Sequence, residues 1–305
     1  MLHARVERVL CKQGYGLVGR HSAVKPCHWC REAIKNGRHC YKARFYGVES
    51  HRCLQMTPTV AWCQQRCVYC WRPVELTMGV SDVPDPDDPD LIVERSVEEQ
   101  RRFLQGYGHL EGEARRRWKE SLEPRHAAIS LAGEPTLYPR IGELIDAFHA
   151  HGFKTTFLVT NGLRPDRIES LEREPTQLYV SLDAPTEDLH RRINRPAVPD
   201  SWERIRRTLE LLDSLGCRTV IRITAIKGWN MEGTAEDFGR LLAEVEPDYV
   251  EVKGFMCVGW AAFRMTPDHM PSHEEVKRFA AEIAEHAGFE LVDESPPSRV
   301  ALLSS

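Results

Sequence analysis

The spacing of hydrophobic positions changes character along this chain, and the change predicts its elements. Short β-prone runs occupy Ala127–Leu131, Thr155–Val159, Leu178–Leu182, Thr219–Ala225 and Tyr249–Val252, each short enough for a buried strand. Between them, apolar residues fall at helical spacing: Ile141, Leu144, Ile145 and Phe148, then Trp202, Ile205, Leu209 and Leu212. A last helix opens at Ser272 and Glu275, three apart as in a capping box, and would bury Val276, Phe279, Ala280 and Ile283. Phe289–Val292 reads as one more strand. Upstream, Thr57–Trp62 is a β-prone run that ends directly at Cys63. With that run counted, six strand–helix repeats follow one another. Such alternation predicts an α/β fold with a parallel sheet, a barrel or partial (β/α)6 barrel.

Two stretches break the pattern. Residues 81–90 (SDVPDPDDPD) hold three prolines and five aspartates, which predicts a surface connector leading to a helix opened by Ser96-Val97-Glu98-Glu99. Residues 1–56 show little periodicity and many Cys, His and Arg, which predicts a loop-rich segment organised by metal. In barrels of this kind the chemistry gathers at the carboxyl ends of the strands. Those ends carry Cys63, Gly133-Glu134-Pro135, Thr160-Asn161-Gly162, Asp183, Lys227 and Lys253-Gly254.

Composition narrows the class. The chain has 305 residues, 42% hydrophobic and 28% charged, with no apolar run long enough to span a membrane. Its start (MLHARVERVL) lacks a signal peptide's apolar stretch, so the cytoplasm is the expected location and a membrane is not an expected partner. Of ten cysteines, eight lie in the first 70 residues, which in a reducing compartment predicts metal binding or catalysis rather than disulfides. Residues 1–60 carry a net charge of +8 within a chain of net −4. A basic head on an acidic body suits a polyanionic partner, or balances the charge of metal–thiolate sites.

Cys63, Cys67 and Cys70 form a C-x3-C-x2-C triplet on the loop after the first strand. Three thiolates on one tight loop can hold three irons of a four-iron cluster, leaving the fourth iron open to the amino and carboxylate groups of a small ligand. A zinc site is the alternative, and it normally needs a fourth Cys or His. With Tyr69 before the last cysteine, the triplet resembles the signature of the radical S-adenosylmethionine superfamily. That resemblance implies a partial barrel, a 4Fe-4S cluster, bound S-adenosylmethionine and its reductive cleavage to a 5′-deoxyadenosyl radical. It further implies that Tyr69, Gly133, Glu134, Pro135, Thr160, Asn161, Ser181 and Asp183 contact the S-adenosylmethionine.

Cys27, Cys40 and Cys53 stand upstream at C-x12-C-x12-C spacing, and Cys27 also pairs with Cys30 as C-x2-C. Spacing alone leaves a zinc knuckle through Cys27 and Cys30 open. The run from Cys40-Tyr41-Lys42 through Ser50-His51-Arg52-Cys53 to Pro58, with Cys70-Trp71-Arg72-Pro73, Asn230-Met231 and Glu251-Val252-Lys253-Gly254, resembles archaeal tRNA 4-demethylwyosine synthases of the wybutosine pathway. In that family the three N-terminal cysteines bind a second 4Fe-4S cluster, which assigns Cys27, Cys40 and Cys53 to it and leaves Cys30 an extra thiol. Lys42 matches the family's Schiff-base lysine, and neighbouring cations favour the neutral amine such chemistry needs. Lys227 and Lys253 are competing amines.

The resemblance implies a reaction: 1-methylguanosine, 3′ of the anticodon in phenylalanine tRNA, gains two carbons from pyruvate to become 4-demethylwyosine. The basic head then serves the RNA, through Arg20, Lys25, Arg31, Lys35, Arg38, Arg44, Arg52 and Arg66, together with Arg115-Arg116-Arg117-Trp118-Lys119 or with the last run as an ordinary exposed helix face. The expected organisation is an auxiliary-cluster segment at 1–56 and a radical barrel with a helical C-terminal extension at 57–305. A monomer is expected, served by an external flavodoxin- or ferredoxin-like electron donor. Two other readings compete: an auxiliary-cluster activase or peptide-modifying enzyme, and a zinc-stabilised RNA-binding protein.

Overall fold

The computed structural model describes residues 2–305. The chain folds into two compact units. One comprises the chain up to Cys63 with Ser81–Val159 and Ser170–Gln177; the other comprises Gln64–Val80, Thr160–Glu169 and Leu178–Ser305.

The first unit opens with helix α1 (Ala4–Lys12) and strands β1 (Gly16–Val18) and β2 (Ser22–Val24). Helices α2 (His28–Asn36) and α3 (Tyr41–Tyr46) lead into β3 (Cys53–Thr57). Then come α4 (Pro89–Leu104), α5 (Gly112–Ser121), β4 (His126–Ile129), α6 (Ile141–Ala150) and β5 (Thr155–Thr160). β1, β2 and β3 pair antiparallel, whereas β3, β4 and β5 pair parallel. Leu54, Ala127, Ile129 and Leu158 are fully buried in the parallel part, as strands covered on both faces require. Ile141, Leu144, Ile145 and Phe148 are buried along α6, as their spacing predicts.

Three sequence expectations change here. Residues 1–56 are not a loop-rich segment: the described ones hold three α-helices, two short strands that extend the sheet and most of β3. The strand before the triplet is Cys53–Thr57, not Thr57–Trp62. Its register with β4 buries Leu54 and Met56, while the Thr57 hydroxyl donates to the carbonyl of Ala132 and accepts the N–H of Thr59 at 3.1 Å, turning the chain out of the sheet. Helix α4 begins at Pro89 rather than at Ser96. Asp88 caps it by accepting the N–H of Asp90 at 3.0 Å, and proline fits the first turn because that N–H has no helical partner. Nor does the preceding stretch lie wholly on the surface. Asp87 is buried, accepting the N–H and guanidinium of Arg20 at 2.6 and 2.7 Å, and its own N–H donates to His21 at 2.9 Å.

The second unit holds α7 (Pro165–Glu169), β6 (Gln177–Ser181), α8 (Glu187–Asn194), α9 (Ser201–Glu210), β7 (Arg218–Ala225), α10 (Ala235–Val245) and β8 (Tyr249–Gly254). α11 (His273–Ala287), β9 (Glu290–Ser295) and β10 (Val300–Ser304) complete it. β7 and β8 run parallel, with Val220 opposite Tyr249 and Ala225 opposite Gly254. The capping box of α11 forms as expected: the Ser272 hydroxyl accepts the Glu275 N–H at 3.2 Å and the Glu275 carboxylate accepts the Ser272 N–H at 2.8 Å. Phe279 of α11 packs edge-on against Phe238 of α10. The β9–β10 hairpin extends the sheet beyond β8: β10 pairs antiparallel with both β8 and β9 and buries Val300, Ala301, Leu302 and Leu303. No helix among the described residues is long and apolar enough to cross a membrane.

Candidate active site

In the first unit, the loop after β4 is shaped by a glycine. Gly133 has φ +71°, and a side chain there would place its first carbon 1.8 Å from the carbonyl oxygen of Thr59 and 2.8 Å from that of Trp62. Only glycine allows the two loops to touch so closely. Glu134 follows, buried, its N–H donating to the Trp62 carbonyl at 2.8 Å. Its Oε1 accepts the N–H and hydroxyl of Thr136 at 3.1 and 2.7 Å, capping the short turn Pro135–Leu137. Gly133, Glu134 and Pro135 therefore form one rigid ledge against the stretch that leads to Cys63.

The three upstream cysteines of the same unit come together from different elements. Cys27 caps α2, its sulfur accepting the N–H of Cys30 at 3.2 Å. Cys40 precedes α3, with its N–H on the Ser50 hydroxyl at 2.9 Å, and Cys53 opens β3. Burial, with the nearby Cys40 charge adding to it, pushes the Cys27 thiol up to about 11. Burial likewise pushes Cys53 far up, with Cys27 adding to the rise and the Lys42 ammonium opposing it. The three thiols thus lie within electrostatic reach of one another and the Lys42 amine within reach of Cys53, and Lys42 Nζ stands 4.6 Å from the centre of the Phe157 ring. Thiols that keep their protons at neutral pH release them on binding a metal. Among the described residues, no three His, Cys, Asp or Glu side chains close to single-ion spacing. Thiolates are the ligands iron–sulfur groups take, so the chemistry of this donor set suits one. Cys30 is fully buried against Ile34 and Leu104, its sulfur directed at the His51 carbonyl at 3.8 Å.

The second unit carries Cys67 and Cys70 and pins their loop from several sides. The N–H groups of Arg66 and Val68 donate to the carbonyls of Asn194 and Ile193 at 3.0 and 2.9 Å. Asn194 Nδ2 donates to Cys67 Sγ at 3.4 Å and to Asp183 Oδ2 at 3.2 Å. The Tyr69 hydroxyl donates to the same oxygen, and the Thr224 N–H reaches Asp183 Oδ1 at 2.9 Å. Burial, with the Asp183 charge beside it, holds the Tyr69 hydroxyl well above its ordinary value, so it stays a donor. Asn230 supports the turn by donating to the carbonyls of Asp183 and Thr224, both at 2.8 Å. Thr160 and Asn161 are buried, Asn161 Nδ2 reaching Gln64 Oε1 at 3.4 Å, and Ser181 ends β6.

Arg264 was not singled out by the sequence. Its guanidinium lies behind the cysteine loop, donating to the carbonyls of Cys70, Val68 (3.1 Å) and Arg72 (3.3 Å) and pairing with Glu75 at 2.8 Å. No local pattern marks an arginine that acts 194 residues from its partner. Several expected RNA-binding residues are engaged within the protein. Arg52 is buried on the Glu123 carbonyl at 3.1 and 3.0 Å, Arg20 holds Asp87, and Lys25 donates to the Gln13 carbonyl at 2.6 Å. Lys227 pairs with Glu275 at 2.6 Å, and Lys253 donates to the Ser298 carbonyl at 3.4 Å.

Residues 57–241 match the Radical SAM superfamily and residues 244–305 match the family described as Wyosine base formation. This fold and this cysteine loop make the chain a radical S-adenosylmethionine enzyme, a class that implies one 4Fe-4S cluster and S-adenosylmethionine as its cofactors. The S-adenosyl-L-methionine-dependent tRNA 4-demethylwyosine synthase of Pyrococcus abyssi is 48% identical over 98% of this chain and 88% of its own length. That of Methanocaldococcus jannaschii is 41% identical over 100% and 97%. A solved structure of TYW1 with a lysine-pyruvate adduct bound superposes with a TM-score of 0.89 at 41% identity, covering 100% of this chain and 96% of that one. The chain belongs to the tRNA 4-demethylwyosine synthase family.

Proposed function

We propose that this enzyme converts 1-methylguanosine, 3′ of the anticodon of phenylalanine tRNA, and pyruvate into 4-demethylwyosine. The observation that carries the reading is Lys42 within electrostatic reach of Cys53, which is itself within reach of Cys27 and Cys40, in a family with a solved lysine-pyruvate adduct. Cys63, Cys67 and Cys70 hold the first 4Fe-4S cluster, and Cys27, Cys40 and Cys53 a second. Together the clusters and S-adenosylmethionine supply one-electron reduction and a 5′-deoxyadenosyl radical when bound.

The chain's own residues do the positioning. The Gly133–Pro135 ledge and the pair of Tyr69 and Asp183, with Thr160, Asn161 and Ser181, seat the S-adenosylmethionine. The Lys42 amine condenses with the pyruvate carbonyl as a Schiff base, releasing water and fixing the carbon to be joined. The Phe157 ring beside Nζ limits water there. The target base is splayed out of its stack to reach the site. Residues 1–56 serve as the auxiliary-cluster segment of the barrel at 57–305, and an external flavodoxin- or ferredoxin-like protein delivers electrons.

The test is an anaerobic incubation with reductant, S-adenosylmethionine, pyruvate and tRNA bearing 1-methylguanosine. Formation of the tricyclic nucleoside is expected, and its absence with iron fully loaded refutes the assignment. Borohydride should trap pyruvate on the wild type and not on Lys42→Ala; an adduct that persists moves the role to another amine.

A further inference from the structure

The segment after β8 exposes several apolar side chains, and Trp260 and Arg264 within it bond to the cysteine loop. Met256 is 42% exposed, Val258 48% and Phe263 79%. The rings of Phe263 and Trp260 lie 5.3 Å apart. This shelf is firmly anchored: the Trp260 N–H donates to the Trp71 carbonyl at 3.0 Å, and Ala261 and Met265 are buried with Val68 in one cluster. Next in sequence, Arg264 lines a recess of about 670 Å³ together with Arg66, Arg191 and Arg195. Arg264 pairs with Glu75 and Arg191 with Glu187, but among the described residues no carboxylate meets Arg66 or Arg195. Arg195 also sits at φ +45°, a conformation that favours glycine, and its guanidinium is nevertheless present there.

We propose that this surface is the seat of single-stranded anticodon-loop RNA, with phosphates in the arginine recess and an unstacked base on the Phe263 ring. The proposal rests on the tRNA reading above and says which face of the protein grips the loop. The arginines alone suit any polyanion. A nucleotide also brings a flat apolar face for an exposed aromatic ring, and single-stranded RNA is held by this pairing of basic groove and stacking platform. Cys67 and Cys70 share the loop that carries Arg66, so RNA seated there lies next to the chemistry.

The test uses the full chain with its clusters loaded and fluorescein-labelled phenylalanine tRNA bearing 1-methylguanosine, read by anisotropy across a salt series. Phe263→Ala is expected to weaken binding by about 5- to 150-fold with the salt slope unchanged, because stacking carries no charge. Phe263→Trp should restore it. Arg195→Gly should weaken binding and reduce the slope of log K against log salt by about 0.7–0.9, the share of one phosphate contact. Glycine accepts that backbone conformation, so the variant should unfold at the wild-type temperature. Tight wild-type binding with indifferent Phe263→Ala and Arg195→Gly overturns this proposal alone. The same holds if those variants lose affinity for an acidic ferredoxin while keeping the tRNA. A wild type that does not bind the tRNA overturns the substrate reading as well.

Discussion

Replacing Gly133 by alanine puts a methyl carbon 1.8 Å from the Thr59 carbonyl oxygen and 2.8 Å from that of Trp62. Real contacts of this kind essentially never fall below 3.0 Å, so one loop must withdraw by about 1.2 Å. Withdrawal strains the hydrogen bonds that join them, from the Thr57 hydroxyl to Ala132 and from the Glu134 N–H to Trp62. At about 1 kcal/mol net for each bond lost, and about 1–2 kcal/mol for a non-glycine residue at positive φ, the expected cost is about 3–4 kcal/mol. Gly47→Ala is the matched control. Its φ is +70° and nothing lies within 4 Å of a new side chain, so it carries the backbone cost without the collision, about 1–2 kcal/mol. Urea unfolding of both variants, stripped of iron so that bound clusters do not shift the apparent stability, measures the difference. Equal destabilisation of the two would refute the claim that the ledge is set by close contact. A displaced Glu134 should also weaken S-adenosylmethionine binding in the reconstituted Gly133→Ala protein.

Two further outcomes follow from the second unit. Tyr69→Phe removes a donor to the buried Asp183 carboxylate while Thr224 and Asn194 remain, and should cost about 2 kcal/mol in urea unfolding, as for hydrogen bonds to charged groups; an unchanged midpoint would contradict the pairing. The ammonium of Lys227, with the Ser272 N–H, holds Glu275 down to about 2, below its unfolded value. Its contribution to the start of α11 is therefore present above the ordinary carboxylate range and is lost as pH falls from about 4.5 toward 2. Carbon-detected NMR titration should show the Glu275 midpoint rising in Lys227→Met, and a midpoint that stays near 2 would assign the depression to the cap alone.

Much of this protein is legible without coordinates. The helical faces of α6 and α11, the Ser272–Glu275 capping box and the parallel strands follow from residues a few positions apart, because burial on one face imposes its period on the local sequence. The cysteine triplet is likewise a local pattern, whereas the Cys40–Cys53 run is legible only through its resemblance to a family, because spacing alone leaves a zinc site open. Other features were decided only where distant loops meet. Thr57 leaves the sheet because its hydroxyl finds Ala132, 75 residues away. Asp87 is buried because Arg20 and His21 wait for it 67 and 66 residues upstream, so a stretch that reads as connector becomes interior. Pro89 and Asp88, which read as helix breakers, become a helix start once Asp88 caps the first turn. The basic residues show the limit most plainly. Arg52 and Arg66 read alike in the sequence, yet one is buried on a carbonyl while the other is exposed in an arginine recess. Local periodicity encodes which side of an element is covered; which carbonyl or carboxylate a charged side chain meets depends on the packing of elements far apart in the chain, and only the tertiary structure decides it.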